Sequence, residues 1–195
     1  NKEVVIMIKK ILIIVSLLMF FSGCSSMTAH EKENKRSQLD AMAEKAIAGL
    51  KEKEPDLQAR LEKSLAYGVA NMKVTKVPIV GAGAGEGVLV IKETKQRIYF
   101  TITRFDIGGG WGARSYKVLA LINDQAIVDK WKDGEWTFQS GGEAAAGAAA
   151  ADVSASSGAE DKGFSMHVLM DGGASITATV RAIHLKVNKE LSEQP

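Results

Sequence analysis

The sequence predicts an α+β fold: an N-terminal helical hairpin packed on a twisted, glycine-rich antiparallel β-sheet or partly closed barrel. Three observations predict it. Apolar residues recur every three or four positions between Leu39 and Leu65, the spacing of one helical face. Past Gly68 the period becomes two, as in a strand with one buried face. Glycine then takes every second place at Gly81, Gly83, Gly85 and Gly87, leaving one face of a strand without side chains.

Helical signals start at Ser37, with Asp40 three residues on in capping-box spacing. Leu39, Met42, Ala43, Ala46, Ile47 and Leu50 form one stripe on a charged helix. Glu54-Pro55 ends it, and Pro55 suits the first position of a second helix. That helix carries Leu57, Leu61 and Leu65, with Gly68 placed just past its C-terminus. The polar faces mix Glu44, Lys45, Lys51, Glu52, Lys53, Glu62 and Lys63, and no aromatic falls in either stripe. A membrane-surface helix is basic on one side with Trp or Phe on the other, so these stripes are expected to pack onto the domain.

Val88 to Ile91 reads as a buried strand and Arg97 to Arg104 as an alternating one, joined through Lys92 to Gln96. Tyr116 to Ile122 is a further strand. Asn123 to Trp131 suits a short helix capped by Asn123. Asp133-Gly134 turns the chain into Trp136-Thr137-Phe138. Phe164 to Met170 and Ala174 to Val180 form a hairpin around Asp171-Gly172-Gly173, and a parity change after Val180 suggests a bulge. Ala144 to Ala155 favours helix by propensity, but its flanks resemble loops around strands, so extended structure is preferred.

The glycine run fails the dinucleotide fingerprint, because Glu86 or Val88 stands where the third glycine belongs. No P-loop lysine follows it. Gly108-Gly109-Gly110-Trp111-Gly112 repeats the theme around a large ring. Tight packing of a small, strongly bent sheet is the first reading of these glycines, and a ligand site the second.

Ahead of the domain stands the only cysteine, Cys24. Lys9-Lys10, an apolar run from Ile11 to Phe21 broken by Ser16, and Ser22-Gly23 precede it, the order of a secretory signal. A membrane span needs about 20 apolar residues, and this run is 11 residues long with Ser16 among them. Phe21-Ser22-Gly23-Cys24 resembles the lipobox of bacterial lipoproteins, which implies an acylated Cys24 as mature first residue. Residues 1–23 are then the signal, with Met7 as its start; 24–36 are a lipidated tether, 37–187 the domain and 188–195 a tail. A residue other than Asp at Ser25 implies, by the sorting rule of enteric-type lipoproteins, the outer membrane with the domain in the periplasm.

Removing residues 1–23 from the 195 leaves 172, enough for one domain. The removed part holds three of the 25 basic and one of the 23 acidic residues, so 22 of each remain. This balance makes no electrostatic case for nucleic acid. One cysteine excludes an intrachain disulfide, so the fold rests on its core.

Ala66-Tyr67-Gly68-Val69-Ala70 and the stretch Gly81 to Val90 resemble the opening of the SYLF (Ysc84-like) domain. Trp111-Gly112-Ala113-Arg114-Ser115-Tyr116-Lys117 with the apolar strand after it, then Phe138 to Gly158 and Phe164 to Ile183, resemble its later sections. The resemblance covers roughly Leu57 to Val187 and implies helices against a twisted antiparallel sheet. In eukaryotic relatives it implies phosphoinositide binding, and in yeast-type ones actin binding. An exported bacterial protein meets neither actin nor, normally, phosphoinositides, so the expectation that carries over is phospholipid contact.

His30, His167 and His184 have no partner at metal-ligand spacing, and no Gly-x-Ser-x-Gly elbow occurs. The expectation is no enzyme, no metal and no cofactor. Two functions remain. One is a membrane-anchored lipoprotein whose domain binds phospholipid head groups through Lys73, Lys76, Lys92, Lys95 and Arg97. The other is a structural or protein-interaction module of the envelope with Trp111 or Trp136 as anchors, its partner unknown. A carrier of a small apolar ligand is a third reading.

Overall fold

A computed structural model describes the backbone over residues 27–146 and 163–192, with side chains over 27–134, 163–171 and 183–192. The elements are α1 (Ala29–Lys53), α2 (Leu57–Lys63), β1 (Ala66–Lys76), β2 (Val80–Ile91), β3 (Arg97–Ile122), α3 (Gln125–Lys132), β4 (Glu135–Ala146), β5 (Phe164–Val187) and α4 (Lys189–Ser192). All strand pairs are antiparallel, in the order β1-β2-β3-β5-β4. The α+β class and the curled sheet expected from the sequence are both present.

The curl follows from β3. Its first half pairs with β2, from Arg97↔Val90 to Ile107↔Val80. Its second half pairs with β1, from Gly112↔Lys76 to Ile122↔Ala66. Because β1 and β2 also pair with each other, β3 must fold around their hairpin, and the sheet closes into a half-barrel. The bend is at the glycines. Gly108 donates to the Ile79 carbonyl at 2.8 Å and Gly110 to that of Pro78 at 3.2 Å, both at the hairpin tip. Gly108 and Gly112 have φ of 139° and 140°, which a side chain would disfavour.

Three strand expectations are corrected here. The stretches 97–104 and 116–122 are one 26-residue strand, because Gly108 to Gly112 continue the ladder with β5. The hairpin expected around Asp171-Gly172-Gly173 is instead continuous strand: Tyr116 faces Met170 and Ser115 faces Gly172, leaving Asp171 as the bulged residue. The full-length edge of β3 supplies partners on both sides of that point, so the chain has no need to reverse. Against β3 no bulge follows Val180, since Val180 to Ile183 stay in step with Ile107 to Arg104; the register shift opposite Val180 lies in β4, between Ser140 and Glu143.

Helix α1 begins earlier than Ser37. Thr28 Oγ1 accepts from the Glu31 N–H at 3.3 Å, and the Glu31 carboxylate accepts from the Thr28 N–H at 2.7 Å, a complete capping box. Residues 29–36 are thus helical, held by Lys32–Glu190 (3.2 Å), Lys35–Glu86 (2.5 Å) and Arg36 Nε to the Leu191 carbonyl (2.8 Å). Polar anchors leave no apolar period, so the sequence alone marks 29–36 as tether rather than helix. Gly68 lies in β1, where an added Cβ would stand 3.1 Å from Trp131. Pro55 precedes the cap of α2, Asp56, and α3 is capped by Asp124, which accepts from the Ala126 N–H at 2.8 Å.

Two apolar layers hold the sheet. Outside, Leu39, Ala43, Ala46 and Leu50 of α1 and Leu57 of α2 pack on Val69, Val88, Tyr99, Leu119 and Leu121, as the stripes predict except at Leu65, which lies past the end of α2 and is exposed. Inside, α3 plugs one end with Val128 and Trp131 against Leu89, Ile98, Phe100 and Ile122, the Trp131 ring edge-on to Phe100 at 4.9 Å. The alternating glycines serve packing: an added Cβ would meet the Asn71 carbonyl at 2.6 Å from Gly85, and the Val69 carbonyl at 2.1 Å from Gly87. Ala144 to Ala146 are extended within β4; residues 147–155 of that Ala-rich stretch lie outside the described residues.

Candidate functional site

The end of the half-barrel opposite α3 has an unusual side-chain order. Alternation along β3 sends Arg104, Asp106, Arg114 and Tyr116 inward, where they are buried, and Phe105, Ile107 and Trp111 outward, where they are exposed. On the adjoining strands Lys76 points inward and is 3% exposed. Val77, Ile79 and Val80, at the hairpin tip beside the bend, are exposed, Ile79 by 70%. A sheet in water puts apolar residues inside and polar ones outside. Along β3 the order here is reversed, while on β1 Lys73 and Thr75 face out and Val74 faces in.

The inward groups form one cluster. Arg104 donates to both Asp106 oxygens at 2.7 Å and, through Nη1, to the Tyr116 hydroxyl at 2.7 Å. Arg114 stacks over the Tyr116 ring, 5.5 Å from its centroid. Lys76 and Asp106 meet over Gly81, whose missing Cβ would lie 3.3 Å from Lys76 Cδ and 3.2 Å from Asp106 Cβ. Lys76 Nζ and Arg114 Nη1 are buried with no hydrogen-bond partner. Burial lowers the Arg114 pKa, and Arg104 nearby lowers it further. For Arg104, burial works the same way, but the hydrogen bond to Asp106 and the proximity of Tyr116 outweigh it and raise the pKa above its ordinary value. Neither shift discharges a guanidinium near neutral pH. Arg181 stands opposite Asp106 in the β3–β5 register.

The five cations expected to meet head groups are not brought together. Lys92 Nζ donates to the Leu61 and Glu62 carbonyls at the end of α2, at 3.1 and 2.5 Å. Arg97 pairs with Asp40 at 2.7 Å, and Tyr99 donates to the same carboxylate at 3.2 Å. Burial raises the Asp40 pKa despite Arg97, and burial with Asp40 pushes the Tyr99 phenol up to about 12. Lys92, Lys95 and Arg97 sit at the β2–β3 turn, the full length of β2 from the hairpin tip, roughly 35 Å by strand rise. Lys73 is exposed on the outer face of β1, and Lys76 is inside. These five thus lie at separate places on the domain, and only Lys76 belongs to the inner cluster. Cys24 and the Trp136 side chain lie outside the described residues; Trp111 is exposed.

The residues missed from sequence are Arg104, Asp106 and Arg114. Their signal was present: Arg104, Asp106, Arg114 and Tyr116 share one parity, and Phe105, Ile107 and Trp111 share the other. Seeing it requires taking 97–122 as one strand.

A second polar group links α1 to the sheet. His167 Nδ1 lies 2.6 Å from Glu54 and Nε2 3.2 Å from Ser165 Oγ, and Ser165 lines a cleft of about 450 Å³ with Arg60, Lys63 and Asn123. Serine, histidine and carboxylate in this order can activate a nucleophile. Ser165, however, is only 6% exposed and sits in regular pairing opposite Leu121, beneath the helix ends. The trio is read as a tie between α1 and β5. A fluorophosphonate probe is expected to leave Ser165 unlabelled, whereas His167→Ala should lower the melting temperature. Labelling abolished by Ser165→Ala would make this a hydrolase site. Among the described residues, no group of three His, Cys, Asp or Glu is arranged to hold a metal ion.

The chain matches no protein-family model and no curated protein.

Proposed function

We propose that this protein is a non-catalytic phospholipid-binding lipoprotein of the bacterial cell envelope, held by acyl chains on Cys24, with its domain resting on the bilayer through the apolar rim. The observation that carries this reading is the reversed order of side chains, with apolar groups outside and charged groups inside one end of the sheet. Strands that face lipid show this alternation, and strands that face water show its opposite. Six large apolar side chains surround that end, including Trp111, a residue type suited to the interfacial layer.

The two contacts have different strengths. Acyl chains on Cys24 contribute about 0.8 kcal/mol per buried CH₂, so more than one chain makes a stable anchor. Full burial of a Val, Ile or Phe contributes about 1.5–3 kcal/mol, and a rim only dips into the interface. The anchor therefore supplies residence and the rim supplies orientation. With Ser25 after the cysteine, the compartment in this proposal is the outer membrane, with the domain in the periplasm. A protein-interaction module is the competing use of the same rim.

Flotation of a chain beginning at Ser25, which keeps every described element, separates the two uses. Vesicles of phosphatidylethanolamine and phosphatidylglycerol are expected to carry it upward, and a rim-mediated contact should survive added salt better than one through exposed lysines. Failure to float with vesicles of any phospholipid composition would sink the lipid reading.

A further inference from the structure

We infer that the inner cluster is a binding site for one phosphate group, with Lys76 and Arg114 as its ligands and a phospholipid as its source. This assignment rests on the bilayer-contact reading for the source of the phosphate, and on the cluster alone for the phosphate itself.

Charge is the first argument. Lys76, Arg104 and Arg114 are three buried cations, and among the described residues Asp106 is the one buried carboxylate beside them. Arg104 is satisfied by Asp106 and Tyr116. Lys76 Nζ and Arg114 Nη1 are not hydrogen-bonded to anything. An unpartnered buried cation is costly, and a fold keeps one where an anion comes to meet it.

Space is the second. On β1–β3 the inward positions at this end, besides the charged residues and Val74, include Gly81, Gly83, Gly108, Gly110 and Gly112, none of which brings a side chain; on β5 the register sets Thr179, Thr177 and Ser175 opposite Gly108, Gly110 and Gly112. Gly81 and Gly112 are the two cross-strand partners of Lys76, one on each side. Glycine backbone thus flanks Lys76 on both neighbouring strands. The Tyr116 hydroxyl accepts from Arg104 and keeps its own proton to donate. A tetrahedral phosphate, with a negative charge and multiple acceptors, fits this donor set.

Position is the third. The cluster lies directly inside the apolar rim: Phe105 and Ile107 alternate with Arg104 and Asp106 on β3, and Val77 follows Lys76. A rim at the interface brings the cluster to head-group depth, where phosphodiester groups are concentrated. The described assembly thus combines an apolar contact for the bilayer with an anion receptor behind it.

The test is calorimetric titration of the chain beginning at Ser25 with dihexanoyl phosphatidylglycerol as monomer and, separately, with inorganic phosphate. Lys76→Met and Arg114→Met replace the free cations by apolar groups of similar length. Each is expected to weaken phosphatidylglycerol binding by roughly tenfold or more, the worth of a charge-assisted hydrogen bond. Each should also leave the melting temperature unchanged or raised, because it removes an uncompensated buried charge. Both effects together support the site. Binding of inorganic phosphate alone, lost in both variants, would keep the phosphate site and overturn its lipid source. Wild-type affinity for phosphatidylglycerol in both variants, or no binding of either probe by the wild type, overturns the site. Flotation of the same variants separates the two proposals: vesicle binding kept by protein that binds neither probe refutes the phosphate site and spares the rim, and phosphate binding without flotation does the reverse.

Discussion

Asp106→Ala is expected to destabilise the domain by roughly 3–5 kcal/mol, the cost of leaving a buried ion pair with one partner. Arg104 is 2% and Asp106 1% exposed, joined by two hydrogen bonds of 2.7 Å. Without the carboxylate, Arg104 becomes a third uncompensated cation beside Lys76 and Arg114. A typical domain has only about 5–15 kcal/mol in total, so this one change removes a large share. Urea unfolding of the two proteins measures it. The paired replacement Arg104→Met with Asp106→Leu should cost much less than Asp106→Ala alone, since both charges leave together. A loss below about 1 kcal/mol for Asp106→Ala would show that Arg104 does not depend on that carboxylate.

The second large effect is on membrane partition. Ile79 and Trp111 are 70% and 69% exposed, so replacing both by Ser should move stability by only about 0.5 kcal/mol each. In the bilayer-contact reading each ring or branched chain is partly immersed. Losing both should remove about 2–3 kcal/mol of transfer free energy, or roughly 30- to 150-fold in partition coefficient. Vesicle sedimentation against a titration of lipid reads this directly, with melting temperature as the control. An unchanged partition coefficient for a folded double variant would reject the rim as the contact.

These experiments probe positions that differ in how far the sequence exposes them. The stripe Leu39, Ala43, Ala46 and Leu50 was legible, because a helix facing one apolar layer must repeat every three or four residues. The start of α1 was not, since its first turns are held by Lys32, Lys35 and Arg36 to distant partners, and such pairs carry no period. The glycines announced a close approach of backbones, and Gly85 and Gly87 confirm it against Asn71 and Val69. Sequence distance hid the rest. Lys92 and Arg97 look like free cations until the ends of α2 and the flank of α1 come beside them.

By itself the sequence determined the α+β class, the helical stripes, the alternation of the strands and a glycine-rich bend. These depend on residues close along the chain. Only the tertiary structure decided that 97–122 is one strand, that it wraps the β1–β2 hairpin, and that its parity is reversed at one end. Those facts depend on which edges pair, and pairing is a property of segments far apart in sequence. The same wrapping gathers Lys76, Arg104, Asp106 and Arg114 into one buried group under an apolar rim. The residue types were always visible; their meeting required the curl of the sheet.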